Sequence, residues 1–574
     1  MTSPAIPPAI DAAELTWRDD MPESKQFGDI YCNRYNGLEK SRKELIESNN
    51  LPARFAAVPE AGSFVIAEAG FGTGLTFLAT WQAWQTHGPA HAATLHFIAV
   101  EPYPLTRQDL ERALSAWPEF RNLSKELISN YPPLVRGAHR LILDGGRIRL
   151  TLFFGNKDNA WDELDFQADA WLGDDLAPSE RSVTRDAPGA PGKSVAVIGA
   201  GIAGCLLANN LAQRGYSVTL IDSADEAGSA ASGNLQGAMY VKLGVEFNHQ
   251  TQLALSALTF SQRYYSPYRG QHWHPTGLLQ LAWNEGEKDR QRRFIERNRY
   301  PEEILRAVTR QEAETLTDSR LESGGLWFPS SGWLAPGELC KSLASHPGIH
   351  RVFGFSVGQV AASEGKWLLS GTGNPNILAD RVVICAGHLS PKLVPGPGTF
   401  RFKAIRGQVT HMPAPLITNP KAVICGARYF NPAQGTEGEQ LAVIGATFDL
   451  HSDEPAPTAE SHRENIRELS AMVPQMLSAE MASGNLPDQL AGRVGFRCTT
   501  HDYQPVAGPL FEANGQVQEG IYLLTGLGSK GLTYAPLLAE FVADQLTQQP
   551  SALPAQLAKR VATGRMHLPK VAPS

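Results

Sequence analysis

Three glycines and an aspartate supply the first chemistry. Gly199, Gly201 and Gly204 stand in GAGIAG, after the apolar run Val195 to Ile198, and Asp222 closes the next apolar run. Each has a physical task. Gly199 permits a tight turn. Gly201 lets backbone N–H groups approach a pyrophosphate at a helix N-terminus, and Gly204 lets that helix lie close on its strand. Asp222 can accept hydrogen bonds from a ribose hydroxyl, which completes a dinucleotide-binding fingerprint. The bland alternative is a tight strand–helix turn with no ligand. A second set lies nearer the N-terminus: Glu68, Gly70, Gly72 and Gly74, with Glu101 closing a later apolar run. An acid, three alternating glycines and a later acid at a strand end form the pattern of S-adenosylmethionine-dependent methyltransferases. The glycine loop can approach the methionine part, and Glu101 can bind the ribose hydroxyls. A nucleotide site of another kind, or a decayed one, is the alternative.

Elements must hold these residues in place. The first set needs a strand to Ile198, a helix to about Arg214 and a strand from Tyr216 to Ile221. The second needs a strand from Phe64 to Ala67 and another, LHFIAVE, ending on Glu101. Arg147 to Phe154 reads as a third strand of that unit and Ala168 to Asp175 as a fourth. Further on, Ser232, Gly233, Asn234, Gln236 and Gly237 sit in SAASGNLQGAMY, whose small residues suit a loop passing a pyrophosphate and a flavin ring. Gly324 to Cys340 is turn-rich and leads to a helix. Val382 to Cys385 is a strand that delivers Gly387, a second glycine approach to the flavin. Arg401 to Met412 alternates like a sheet strand, and Val494 to Gly508 is strand-like and carries Arg497. Ile521 to Leu546 is strand, glycine loop and helix, and Gly528, Lys530 and Gly531 of that loop could close over the flavin.

The chain has 574 residues, too many for one core, so two or more domains are expected. Its composition, 42% hydrophobic and 19% charged, is that of a soluble globular protein. A formal net charge of -7 excludes nucleic-acid binding by bulk charge, so any such contact needs a local basic patch. The N-terminus does not read as a secretory signal, and no apolar run approaches the ~20 residues of a membrane span. The 6 cysteines contain no CxxC and suit reduced thiols in a cytoplasmic protein, with no metal site; Cys205 reads as core packing. A Pro/Gly/Ser-rich stretch follows the fourth strand and reads as a linker over 181–193. It separates a first domain, 1–180, from a second, 194–574. The first sheet therefore stops at four strands. Its last strand would be an open apolar edge, which the following domain must cover if the unit is not to be unstable.

Together these stretches resemble the MnmC family of bifunctional tRNA-modifying enzymes. The resemblance rests on FGDIY, EAGFGTGLTFLATWQAW and Pro104 to Thr106 in the first domain. In the second it rests on GAGIAG, ASGNLQGA, Ser331 to Leu334, RGQVTH, FRCTTHD and GLGSKGL. The second domain also resembles the wider D-amino-acid oxidase and glycine oxidase class. The resemblance implies an α/β protein: a shortened Rossmann-like methyltransferase domain, then a Rossmann-type FAD oxidoreductase domain with an inserted, mainly antiparallel substrate subdomain. It implies FAD-dependent removal of the carboxymethyl group from 5-carboxymethylaminomethyl-(2-thio)uridine at the tRNA wobble position, with glyoxylate leaving. It also implies methylation of the resulting amine from S-adenosylmethionine.

The same resemblance assigns roles. Arg497 matches the arginine of the oxidase class's R-x-x-T-x-D pattern and would bind the substrate carboxylate; the alternative is a structural arginine paired with Asp502. His388 and His501 are more readily structural than proton handlers. Asp174 matches an aspartate at the end of the family's fourth strand, but Asp175 replaces the glycine that follows it. With the rest of that domain missing, methyl transfer is expected to be impaired or lost. For tRNA contact the candidates are the run Lys288 to Arg299, the group Arg401, Lys403 and Arg406, and the group Lys559, Arg560 and Arg565, each against the alternative of a solvated surface. An oxidase of small free amines with a non-catalytic first domain is the rival reading.

Overall fold

The computed structural model describes residues 8–18, 21–26, 28–30, 37–89, 92–172, 194–395, 400, 402–436, 438–478, 481 and 490–567. In the first domain the Val/Ile/Phe-rich runs become strands Ser63–Glu68 (β1) and Thr94–Glu101 (β2), with helix Leu75–His87 (α1) between them. Helix Arg107–Leu114 (α2) follows, its first turn capped by the Thr106 hydroxyl on the Asp109 N–H. Strands Gly137–Leu143 (β3), Ile148–Phe154 (β4) and Ala170–Leu172 (β5) complete a five-stranded sheet of order β3-β4-β2-β1-β5. All pairs are parallel except the β3–β4 hairpin. Every residue of β2 is buried, as expected of a parallel strand covered on both faces. Phe77, Trp81 and Trp84 of α1 pack one face with Phe97, and Val65, Ile98 and Phe153 fill the other.

In the second domain strands Ser194–Ile198 (β6) and Ser217–Ile221 (β7) flank helix Ile202–Gln213 (α3). Helices His249–Tyr264 (α4), Glu285–Arg297 (α5) and Pro336–Ala344 (α6) follow. Strands Ile349–Val352 (β8) and Arg381–Ile384 (β9) rejoin the first sheet of this domain. Strands Lys403–Pro413 (β10), Leu441–Gly445 (β11) and Gly492–Thr499 (β12) belong to a second, eight-stranded sheet, with helix Ala459–Met472 (α7) between the last two. Strands Val506–Phe511 (β13) and Val517–Thr525 (β14) return to the first, and helix Gly531–Thr547 (α8) packs on α3 and α4. The six-stranded sheet has order β8-β7-β6-β9-β14-β13 and is parallel until the last pair. The eight-stranded sheet is antiparallel except where Leu278–Leu281 runs parallel to Val423–Cys425.

Several expectations need correction. The turn-rich stretch from Gly324 forms two short strands, Gly325–Phe328 and Gly332–Leu334, before α6. The run from Val494 breaks at Thr499, and a new strand starts at Val506. Residues 181–193 and the end of the fourth strand lie outside the described residues. The edge to be covered was misplaced. Among the described residues, β5 pairs only with β1, and the second domain docks against β3 and β4 at the opposite edge.

That docking is ionic. Arg140 of β3 and Arg149 of β4 reach Glu540 of α8 at 3.3 and 2.7 Å, and Arg140 reaches Asp544 at 3.5 Å. Arg214 binds the same two carboxylates from the far side, at 3.1 and 2.7 Å. All five side chains are buried. Arg140 also donates to the Pro550 carbonyl, and His96 of β2 meets the Gln549 side chain at 3.0 Å. Burial and the three guanidiniums hold His96 neutral.

Candidate flavin and methyl-donor sites

Three glycine approaches converge at the carboxyl edge of the six-stranded sheet. Gly199 has φ +107°, and a Cβ there would stand 2.6 Å from the Cys385 carbonyl at the end of β9. A Cβ at Gly204 would stand 1.8 Å from the Gly199 carbonyl. Helix α3 can therefore start against the strand only with glycine at both positions. The Gly387 carbonyl accepts from the Thr525 hydroxyl at 3.1 Å, and the Gly528 N–H donates to the Cys498 carbonyl of β12 at 2.8 Å. These bonds bring Gly387 and the loop of Gly528, Lys530 and Gly531 to one place.

This cradle fits FAD. Gly201 is the N-cap of α3, so the helix opens with the unsatisfied N–H groups and positive dipole end that suit a pyrophosphate. The Ser232 hydroxyl accepts from Ile202 N–H at 3.0 Å there, which sets the loop of Ser232, Gly233 and Asn234 over the helix start. Asp222 accepts from Ala200 N–H at 2.6 Å and Ala224 N–H at 2.9 Å, one bond on each oxygen. A carboxylate offers about four acceptor positions, so two remain for ribose hydroxyls. Gln236 differs from expectation. Its amide donates to the Pro432 carbonyl at 2.8 Å and accepts from Val443 N–H at 3.2 Å, so its side chain ties the loop to the substrate sheet. Gly237 is pressed by Leu532: a Cβ there would lie 2.5 Å from that side chain. Lys530 sits at the N-cap of α8, and burial, then Lys242, pulls its ammonium pKa down.

Arg497 lies on β12 opposite Ile405 of β10, one residue before the Cys498 carbonyl that holds the glycine loop. Gly407 makes room for it, since a Cβ there would overlap the guanidinium at 2.4 Å. Its Nη1 donates to the Thr447 carbonyl at 2.9 Å, and Phe448, half exposed, lies 5.9 Å from the guanidinium carbon. Burial lowers its pKa, against the neighbouring Tyr429 and Tyr240 phenols. Among the described residues no carboxylate pairs with it. Asp502, the partner weighed from the sequence, instead binds Arg565 at 3.1 Å. A partly buried arginine with no counter-ion invites an anionic, bidentate ligand.

Sequence reading missed Arg493, Tyr240 and Tyr429. Arg493 shares a strand face with Arg497 by period-two alternation, a signal present in RVGFR. Its guanidinium donates to the Ser229 and Ala230 carbonyls beside Gly233. The tyrosines carried no such signal. Burial pushes the Tyr429 phenol up to about 12 and the Tyr240 phenol higher still. His501 is exposed, and His388 stands 5.6 Å from Phe496 with its imidazole pKa lowered by burial.

In the first domain Gly70, Gly72 and Gly74 all have positive φ, at +127°, +53° and +72°. Glu101 accepts from the Phe71 and Gly72 N–H groups on one oxygen and from Tyr103 N–H on the other, at 3.1, 2.8 and 3.1 Å. Three of its acceptor positions are filled, so a ribose can take one bond without rearrangement. Burial raises its carboxyl pKa, against those three N–H bonds. One oxygen of Glu68 is buried without a hydrogen-bond partner, and burial raises that carboxyl to about 8. An orphaned acid beneath an open glycine loop fits a cationic sulfonium donor. Asp174 lies outside the described residues.

The basic candidates look different in three dimensions. In α5, Lys288, Arg290, Arg292, Arg293 and Arg297 are each paired with an acid. Arg406 is buried and donates to the carbonyls of Glu454 and Ala456, so it is structural. Arg401 lies outside the described residues. Arg565 is committed to Asp502, whereas Lys559 and Arg560 are exposed.

A family model described as FAD dependent oxidoreductase matches residues 194–545, and one described as S-adenosyl-L-methionine-dependent methyltransferase matches residues 118–183. The chain is similar to the tRNA 5-methylaminomethyl-2-thiouridine biosynthesis bifunctional protein MnmC of Marinobacter nauticus, 47% identical over 626 aligned residues and covering 98% of each. It is also similar to the protein of the same name from Chromobacterium violaceum, 34% identical and covering 97% of each. Among solved structures it resembles glycine oxidase from Bacillus cereus (TM-score 0.52, 21% identity, 62% of this chain and 95% of that one). It resembles iminodiacetate oxidase from Chelativorans sp. similarly (TM-score 0.51, 21% identity, 64% and 98%). At such identities these two establish the fold of the FAD domain.

Proposed function

Because this chain belongs to the family of MnmC bifunctional tRNA-modifying proteins, we propose that it removes the carboxymethyl group from 5-carboxymethylaminomethyl-(2-thio)uridine in tRNA, through Arg497. When bound, FAD supplies a hydride acceptor and S-adenosylmethionine a methyl donor. Gly199, Gly201, Gly204, Asp222, Ser232 and the Gly528–Gly531 loop hold the first. Glu68, Gly70, Gly72, Gly74 and Glu101 hold the second.

The observation that carries this reading is the partly buried guanidinium that has no counter-ion among the described residues. The substrate's carboxylate is its missing partner, and two parallel N–H bonds fix the methylene carbon that is oxidised. Lys530 and Arg497 are the positive groups beside the loop, so the secondary amine reacts in its neutral form; a protonated amine has no lone pair to support loss of hydride. The uracil ring lies outward, where Phe448 offers a half-exposed face for stacking. Hydrolysis of the resulting imine frees glyoxylate and leaves the aminomethyl base. Methyl transfer from the first domain is much weaker than oxidation, because among the described residues the sheet that should wall its substrate ends at β5. The enzyme works in the cytoplasm, with its tRNA substrate, and no helix among the described residues is long and apolar enough to cross a membrane.

Arg497→Ala tests the reading. Loss of a buried charged partner costs about 2–5 kcal/mol, a fall in kcat/KM of roughly 30-fold to several thousand-fold. Arg497→Lys recovers only part, since an ammonium cannot make the paired bonds. FAD content stays at the wild-type level. An Arg497→Ala enzyme with undiminished turnover refutes the assignment.

A further inference from the structure

A second place for anion chemistry lies at the seam between the domains. A cleft of about 550 Å³ opens between the N-terminal segment, the start of α2, the chain leading into β3 and the chain leaving α5. Arg107 and Arg136 line it from the first domain and Arg299 and Tyr300 from the second, with Asp11 and Glu303 also on its walls. The segment from Pro8 stitches the two sides: Ala9 N–H donates to the Arg299 carbonyl at 3.2 Å, and the Pro8 carbonyl accepts from Arg136 N–H at 2.9 Å.

The cleft is short of acceptors. The Nε of Arg136 and the hydroxyl of Tyr300 are buried and bonded to nothing. Arg107 is held open by the Ile128 and Tyr131 carbonyls, at 2.9 and 2.6 Å, and keeps its charge uncompensated. Among the described residues no carboxylate reaches Arg107, Arg136 or Arg299 within 4.0 Å, although Asp11 and Glu303 share the walls. Tyr300 is fixed by stacking on Phe294 of α5, 5.4 Å between ring centres. This differs from α5 itself, where each basic side chain named above has its own acid. Donors without acceptors, beside three guanidiniums that have no carboxylate partner among the described residues, match phosphodiester oxygens. The position matters too. Arg107 opens the helix that follows Glu101 in the chain, and the cleft's other wall belongs to the FAD domain.

We propose that this cleft grips backbone phosphates of the tRNA, holding the RNA across both domains, a step that rests on the reading of tRNA as substrate. The test is tRNA binding by the full-length, FAD-loaded chain, measured between about 50 and about 200 mM salt. Arg136→Gln combined with Arg299→Gln should weaken binding roughly tenfold at the low end and reduce the slope of log K against log salt by about 1–2. FAD absorbance and melting temperature report whether the double variant folds. Should it not, Arg299→Glu alone, at an exposed position, decides the matter with the same expected direction. Wild-type affinity and slope in a folded variant overturn the cleft assignment while leaving tRNA as substrate. A wild-type enzyme that binds no tRNA overturns both.

Discussion

Arg497 and Glu68 are each ionisable side chains with no partner of opposite charge among the described residues, one in each site. For Glu68 the consequence is a pH dependence. Burial lifts its carboxyl to about 8, with the nearby Glu101 adding to the lift and Thr76 opposing it. A carboxyl raised above its ordinary 4.5 contributes stability that is complete below that value and lost as pH rises through about 8. A sulfonium beside it favours the carboxylate, so binding of S-adenosylmethionine expels a proton. Affinity should rise by up to about tenfold per pH unit towards pH 8 and then level off. Calorimetry in buffers of different ionisation enthalpy reads the proton, and Glu68→Gln should abolish the slope. At this scale the sequence was informative where residue type and spacing coincide. The glycines and strand-end acids were legible because backbone geometry requires them. The isolation of Arg497 was only partly legible, since pairing with Asp502 stood as the alternative to carboxylate binding until the fold gave Asp502 to Arg565. The ties of Gln236 were not legible either: a loop glutamine beside a cofactor motif can bond a distant sheet through both ends of its amide.

Elements were legible where strands are buried and glycines mark their ends. β1, β2, β4, β6 and β14 fall within a few residues of their expected places. β3 was missed because GAHRLIL carries no clean alternation, and its two polar side chains, His139 and Arg140, are buried by contacts from other parts of the chain. The tightest element-level constraint is the start of α3. Gly204→Ala would place a methyl group against the Gly199 carbonyl, where the free distance is 1.8 Å. Helix and strand must separate, and the turn that meets the pyrophosphate goes with them. We expect this variant to purify without FAD or not to fold, with loss of the flavin absorbance band as the readout. Gly531→Ala, whose Cβ meets nothing nearer than 3.6 Å, should keep the flavin.

At the scale of the molecule, the first domain is held by the second at its β3–β4 edge. Relatives align over 626 to 665 positions, more than the 574 residues of this chain, so they carry segments that it lacks. What compensates is α8, which begins at the flavin loop and ends in the interdomain ion cluster. Burial opposes ionisation of Glu540, but Arg149, Arg214 and Arg140 outweigh it and keep the carboxylate charged. Removing one member of such a cluster strands the others: Glu540→Gln should cost about 3–5 kcal/mol and split one thermal transition into two. The ion cluster was not legible in the sequence, because its members are scattered along the chain and only docking brings them together.

The central claim is oxidation of the wobble substituent, and mass spectrometry of wobble nucleosides tests it most directly. The purified, FAD-loaded chain is given tRNA bearing the carboxymethylaminomethyl group, with and without S-adenosylmethionine. The expected result is the aminomethyl base in both reactions, with little methylaminomethyl base even when the donor is present. Untouched tRNA, alongside a flavin that free glycine bleaches, would contradict it and make the chain an oxidase of small amines.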